Sequence, residues 1–353
     1  MAGRVRRMPG RTFTLELDVL EGLERFAVDE LDELPDRTIQ SIEVRRGAIR
    51  LRYAGDLQPL LQLRSVVAAY LVLSYPVPRP RALLGHQHMT RLVAALEQVR
   101  GLAPPGRYRT IRLSAAGDDS RVLERLKHTL AEQTGLVVTS DEGDLLLRLR
   151  RALDADGWEA LVRLTPRPLA TRVWRVCNRP GAPNATLAYA MMRLTYPSPT
   201  DRVVNLACGS GTLLVERLAL GPAGSVVGCD LDHEALLCAR RNLEAAGYAD
   251  RVRLEPWDAT MLPLPSGSVD VVCADLPFGQ LTGSHRDNEA LYPRLVVEAG
   301  RVTARYGRMV LLTHEVRLLE RVLEQHADRW AVMDVVRVRS GGMTPRIYML
   351  RRA

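Results

Sequence analysis

Arg202-Val203-Val204-Asn205-Leu206-Ala207-Cys208-Gly209-Ser210-Gly211-Thr212 decides the fold of this chain. Its first six residues are apolar and β-branched enough for a strand buried on both faces. Cys208-Gly209-Ser210-Gly211 then has to turn, and Thr212 opens an apolar run to Leu220 with helical spacing. A strand, a glycine turn and a helix in that order set unpaired helix N–H groups beside backbone that a ligand can approach closely. The turn is a generic nucleotide site. Leu214 occupies the place of the last glycine of G-x-G-x-x-G, which tells against a dinucleotide.

Downstream the alternation continues. Ser225 to Asp230 reads as a strand, Asp232 to Ala246 as a helix stopped by Gly247, and Arg251 to Leu254 and Val269 to Ala274 as strands. Asn288 to Ala304 is helical, Arg308 to Thr313 a strand, and Glu315 to Gln325 a helix. Ala331 to Arg339 and Arg346 to Arg351 flank Ser340-Gly341-Gly342 as a closing hairpin. The pattern predicts an α/β, mostly parallel, doubly wound sheet.

Three acids end successive strands. Asp230 lies 19 residues beyond Gly211, where a carboxylate can bind the ribose hydroxyls of a dinucleotide or of S-adenosylmethionine. Asp258, after Trp257, could meet an adenine amino group, and Asp275 opens Asp275-Leu276-Pro277-Phe278-Gly279. That turn suits the clamping of an exocyclic amino group: Asp275 and the Leu276 carbonyl accept its hydrogens, Pro277 stiffens the turn, and Phe278 stacks on the base. Each acid taken singly is also an ordinary strand-end cap. Their order argues for a cofactor followed by an amino-group acceptor.

The N-terminal half alternates differently. Strands are expected at Thr12 to Leu17, Ile42 to Tyr53, Leu71 to Tyr75, Tyr108 to Ser114, Asp144 to Arg150 and Trp158 to Leu164. Helices are expected at Glu21 to Leu34, Leu57 to Tyr70, Met89 to Val99 and Ser120 to Thr134, with a hinge at Pro76 to Pro80. Small α+β modules fit this order, followed by a Pro- and Arg-rich linker to Pro183.

The net charge is +8, with the excess mostly in the N-terminal half, which is compatible with a nucleic-acid partner. Arg107, Arg109 and Arg112 alternate along one expected strand edge, and Arg148 and Arg150 along another. Solvated strand faces give the same pattern. No run is long and apolar enough for a membrane span, and Met1 to Arg11 lacks the apolar stretch of a signal peptide, so a cytoplasmic setting is expected. The five cysteines include no C-x-x-C pair and lie in or beside apolar patterns, so buried thiols are expected, with no disulfide and no metal.

Asn205 to Thr212, Gly228-Cys229-Asp230, Asp258-Ala259-Thr260 and Asp275 to Gly279 together resemble the ordered motifs of class I RNA methyltransferases, and more narrowly the THUMP-domain guanine-N2 methyltransferases of tRNA. Leu291-Tyr292-Pro293, Arg172-Val173-Trp174-Arg175 and Pro180 to Ala190 extend the likeness. The resemblance implies a Rossmann-like S-adenosylmethionine-dependent methyltransferase domain at 184–353, behind a ferredoxin-like domain at 1–78, a THUMP RNA-binding domain at 79–165 and a linker at 166–183. It implies cofactor contacts from Asn205, Ala207, Cys208, Gly209, Gly211, Thr212, Asp230, Leu231, Asp258, Ala259 and Asp275, and catalysis at Asp275, Leu276, Pro277 and Phe278. It also implies tRNA contacts from the arginines above and Arg286, and methylation of guanosine N2 at acceptor-stem position 6. Position 205, commonly an acid in class I enzymes, is Asn here; it keeps a hydrogen bond and loses the charge. The same clamp would suit guanine N2 in rRNA, adenine N6 or a glutamine amide, and a non-catalytic RNA-binding protein would keep the fold alone.

Overall fold

The structure is a computed structural model that describes residues 12–34, 39–117, 120–277 and 284–353. Two compact units result. One comprises Ala27–Ala170 with the strand ending at Val19, the other Thr171–Ala353 with Leu20–Phe26.

The N-terminal elements are β1 (Thr12–Val19), α1 (Glu24–Asp32), β2 (Ile39–Arg45), β3 (Ala48–Ala54), β4 (Val66–Tyr75), α2 (His86–Arg100), β5 (Thr110–Ser114), α3 (Arg121–Thr134), β6 (Val137–Val138), β7 (Leu145–Arg151) and β8 (Trp158–Arg163). The strands form one sheet in the order β2-β3-β1-β4-β8-β7-β5-β6. The strand expected over Ile42 to Tyr53 is a hairpin, because Gly47 takes a φ of +74° that admits a tight reversal. The helix expected at Leu57 to Tyr70 is not one. Gln58–Gln62 makes a short 3-10 turn, and β4 already begins at Val66, pairing with both β1 and β8. Val66, Val67 and Val72 favour the extended chain, and ladders on both sides decide the matter. Leu164 N, at the end of the expected strand, donates to Ala69 O at 2.8 Å, and within the expected linker Ala170 N donates to Val67 O at 3.1 Å, so the linker's start lies along β4.

The second unit contains α4 (Ala185–Leu194), β9 (Arg202–Leu206), α5 (Thr212–Ala219), β10 (Ser225–Cys229), α6 (His233–Ala245), β11 (Arg253–Glu255), β12 (Val269–Asp275), α7 (His285–Val302), β13 (Thr303–Thr313), α8 (Val316–Gln325), β14 (Trp330–Arg337) and β15 (Arg346–Arg352). Its sheet runs β11-β10-β9-β12-β13-β15-β14, parallel up to β13 and antiparallel through the closing hairpin. Neighbouring residues face opposite sides of this sheet. Val203 and Val271 join a core with Trp174, Val215 and Leu218, while Val204 and Val272 join another with Tyr292, Leu295 and Trp330. Burial on both faces is why these strands read as continuous apolar runs. From β9 the chain winds one way to β10 and β11, then returns to lay β12 on the other side. The carboxyl ends of β9 and β12 therefore flank a topological switch point, where open α/β sheets bind their ligands.

Candidate active site

A cavity of about 680 Å³ opens at this switch point. Its walls include Asn205, Ala207, Cys208, Gly209 and Thr212 from the first turn, Asp230 and Leu231 beyond β10, and Asp275, Leu276 and Pro277 beyond β12. Three segments distant in sequence thus meet in a space of the size that small ligands occupy. Gly211 is not part of the wall, and neither are Asp258 and Ala259.

The turn after β9 is built from unusual backbone. Ala207 has a φ of +45°, Gly209 +54° and Gly211 +78°. Cys208 N donates to Cys229 O at 2.8 Å and Gly211 N to Cys208 O at 2.9 Å. Gly209 N donates to Asp230 Oδ2 at 2.8 Å, and Asp232 N to Asp230 Oδ1 at 3.0 Å. Asp230 therefore joins the two strand ends before it meets any ligand, and each carboxylate oxygen still has a lone pair to offer. The close packing that a last glycine would give at Leu214 is supplied from β10. A Cβ at Gly228 would come within 2.6 Å of Leu214 Cδ1.

Asn205 is 1 % exposed. Its Nδ2 donates to Cys273 O at 3.1 Å and Leu206 O at 3.2 Å, while Oδ1 finds no partner among the described residues. The amide thus leaves one buried acceptor on the cavity wall, the complement of an ammonium group. Leu231 adds an apolar wall that is 70 % exposed, a surface an adenine ring can cover. Asp258 has another occupation: its Oδ1 accepts from Thr260 N and Thr260 Oγ1, which hold the carboxyl below its usual range.

The Asp275 carboxyl makes no hydrogen bond within the described residues, and burial lifts it to about 7. Leu276 N donates to Leu312 O at 2.9 Å. The Pro277 carbonyl accepts from the Tyr292 hydroxyl at 2.7 Å, and that hydroxyl lies 3.0 Å from Thr313 Oγ1. The turn is thereby pinned to α7 and β13. In sequence Tyr292 shows only a place in a helix, and nothing there tells what its hydroxyl meets. Phe278 lies outside the described residues. Cys208, Cys229 and Cys273 are buried thiols whose pKa is pushed up by desolvation, so none is a ready nucleophile.

The expectation of no disulfide is corrected. Cys177 and Cys238 are bonded, with Cα atoms 5.4 Å apart. Asn242 organises this contact: its Oδ1 accepts from Cys177 N, and its Nδ2 donates to the carbonyls of Cys177 and Ser210, all at 2.9 Å. Cys238 and Asn242 are one turn apart on α6, so the helix places both against the same segment. Arg179 and Asp232 pair on the cavity wall, and Asn184 caps α4 by accepting from Thr186 N.

The arginines of the N-terminal half divide into two groups. Arg107 and Arg109 are exposed and Arg112 is half-buried. Arg148 instead meets Asp18 and the Tyr70 hydroxyl, and Arg150 grips Glu16 and Glu159, both nearly buried. Much of the charge of that second pair is neutralised internally. Arg286 is exposed on the first turn of α7, where His285 bonds to Glu315 at 2.8 Å. Among the described residues no helix is long and apolar enough to cross a membrane.

Comparison with known proteins matches residues 172–346 to the model of the UPF0020 family, described as an RMKL-like methyltransferase domain. A relative from Thermus thermophilus, named tRNA (guanine(6)-N2)-methyltransferase, is 30% identical over 96% of this chain and 99% of its own length. The human protein named tRNA (guanine(6)-N(2))-methyltransferase THUMP3 is 33% identical over 48% of this chain, a match spanning only 36% of that longer protein. Among solved structures, TrmN from Thermus thermophilus superposes with a TM-score of 0.73 and 27% identity over 97% of this chain and 100% of its own.

Proposed function

The chain belongs to the family of the Thermus thermophilus tRNA (guanine(6)-N2)-methyltransferase, and we propose that it methylates the exocyclic N2 amino group of a guanosine in tRNA, with S-adenosylmethionine as donor. Acceptor-stem position 6 is the expected target. The observation that carries this reading is the full-length likeness to the Thermus thermophilus enzyme, in a chain whose cavity joins a cofactor-type turn to an amino-group clamp.

The residues present fit that cofactor. Asn205 Oδ1 would accept from the methionine ammonium, the Asp230 carboxylate would take ribose hydroxyls, and Leu231 would cover the adenine. When bound, the sulfonium supplies an already activated methyl group, so the protein's task is chiefly to position the acceptor. Asp275 and the Leu276 carbonyl hold the N2 hydrogens and set the nitrogen lone pair toward the methyl. The nitrogen would become acidic as it gained the methyl, the S–C bond of the sulfonium breaking as the N–C bond formed. A carboxyl poised at about 7 can take its proton. Tyr292 keeps the Pro277 carbonyl fixed, and with it the clamp. The exposed Arg107, Arg109 and Arg286 are available to tRNA phosphates, reading shape and charge while base identity is read in the cavity.

The test is to incubate the protein with labelled S-adenosylmethionine and total tRNA, digest the RNA and identify the labelled nucleoside. N2-methylguanosine is the expected product. N6-methyladenosine, or no labelled nucleoside, would overturn the reading.

A further inference from the structure

Asn288 stands on the cavity wall with both polar ends of its side chain idle among the described residues. It is 1 % exposed, and neither Oδ1 nor Nδ2 has a hydrogen-bond partner among the described residues. Such groups are nearly always satisfied in folded proteins, so a buried amide left open on a ligand cavity points to a partner that arrives with the ligand. Helix capping does not account for it. Ser284 and Asp287 already form a reciprocal capping box, Asp287 N donating to Ser284 Oγ at 3.2 Å and Ser284 N to Asp287 Oδ2 at 3.0 Å.

Helical spacing places Asn288 at the acceptor end of the cavity. Leu291 and Tyr292 follow three and four positions later on the same face of α7. Leu291 lines the cavity, and the Tyr292 hydroxyl holds the Pro277 carbonyl at 2.7 Å. Asn288 therefore shares its helix face with the anchor of the Asp275-Leu276-Pro277 turn. Asn205 and Asp230 already take the ammonium and ribose contacts, which leaves Asn288 to the acceptor.

We propose that Asn288 is a specificity-determining residue that reads the base held by the clamp, its Oδ1 accepting from guanine N1–H and its Nδ2 donating to O6. The assignment rests on the guanine-N2 reading above. With N2 held at Asp275 and the Leu276 carbonyl, N1–H and O6 come next along the same edge of the base, one donor followed by one acceptor. A carboxamide offers the complementary pair side by side, as in other bidentate amide–base contacts. A purine lacking O6 and the N1 hydrogen, such as 2-aminopurine, keeps the amino group to be methylated and leaves Nδ2 or Oδ1 unmatched.

The experiment compares tRNA carrying guanosine or 2-aminopurine riboside at the methylated position, using wild-type protein and Asn288→Ala. Wild type should favour guanine in kcat/KM by about tenfold or more, as sites that hydrogen-bond a substrate group reject analogues lacking it. In Asn288→Ala that preference should collapse by about the same factor, with cofactor Kd unchanged. A variant that slows on both RNAs yet keeps the wild-type preference has a merely structural asparagine, and the proposal fails. Wild-type protein alone supplies a second arm: it should scarcely methylate 1-methylguanosine at the target, and turnover equal to that on guanosine would overturn the contact to N1. Absence of N2-methylguanosine from unmodified tRNA would sink the parent reading, whereas a retained preference sinks this assignment alone.

Discussion

Replacing Asp275 by Asn should stabilise the protein at neutral pH while removing most of its turnover. Burial holds the carboxyl at about 7, against 3.8 in an unstructured chain. The shift is roughly three pKa units of about 1.4 kcal/mol each, so burying the charged form costs at most ~4 kcal/mol above pH 7. Asp275 lines a water-accessible cavity, and allowing for that screening the expected gain from Asn is ~2 kcal/mol. For a unit of this size that corresponds to a Tm rise of about 4–8 °C. The sign follows from proton counting. Below about pH 4 both folded and unfolded chains carry the proton, and the acid costs nothing. Between about pH 4 and 7 the unfolded chain gives up its proton first, so wild-type stability falls as pH rises through the folded pKa, while Asp275→Asn has no such slope. Paired thermal unfolding across this range checks the curve, and a methylation assay should show turnover down on the order of 10²-fold. A Tm difference that stays flat with pH, or a wild type more stable than the variant at about pH 8, would refute the reasoning.

Asn205→Asp would set a carboxylate against the carbonyls of Cys273 and Leu206, which now accept from the amide; stability should fall by ~2 kcal/mol or more in thermal unfolding, with part of the loss recovered at saturating S-adenosylmethionine. An unchanged Tm would dismiss that view of the amide. Tyr292→Phe removes the hydroxyl from Pro277 and Thr313, and should cost ~1 kcal/mol and lower kcat more than it alters cofactor Kd, measured by calorimetry beside single-turnover kinetics. Glu159→Ala would take a shared carboxylate from Arg50 and Arg150 and leave Glu16 beside both, which predicts a loss of ~1–3 kcal/mol in urea unfolding of the N-terminal unit. Reducing the Cys177–Cys238 bond, which spans 61 residues of sequence, should destabilise the second unit by up to ~4 kcal/mol; identical denaturation curves with and without reductant would exclude the crosslink.

The second unit was legible because its strands are buried on both faces and its turns are marked by glycine: β9, the Gly209-Ser210-Gly211 turn and β12 all stand where their residues placed them. The N-terminal half was less so. Leu57, Leu60, Leu61 and Ala68 mimic a helical spacing, whereas what makes β4 a strand is pairing with β1 and β8, which lie far away in sequence. The basic stripe at Arg148 and Arg150 was visible, but the carboxylates that occupy it come from β1 and β8. Of the cavity wall, Asp230, Asp275 and Gly209 were readable, whereas Asp258 and Gly211 do not line it. Tyr292 and Asn288 were not legible, because a polar residue on a helix shows its duty only once the neighbouring turn is in place. The disulfide was hidden for a similar reason, since Asn242 gathers Cys177 and Ser210 from separate segments.

The ladder between β4 and β8, continuous from Tyr70↔Arg163 to Tyr75↔Trp158, also bears on inheritance. The Pro76 to Pro80 stretch looks like a natural joint, yet a cut there would part the four strands ending at β4 from the four beginning at β8 and leave two open edges prone to wrong pairing. A crossover after Ala170 leaves all eight strands together. The first half of this chain is therefore a cassette that recombination could move intact only as a whole.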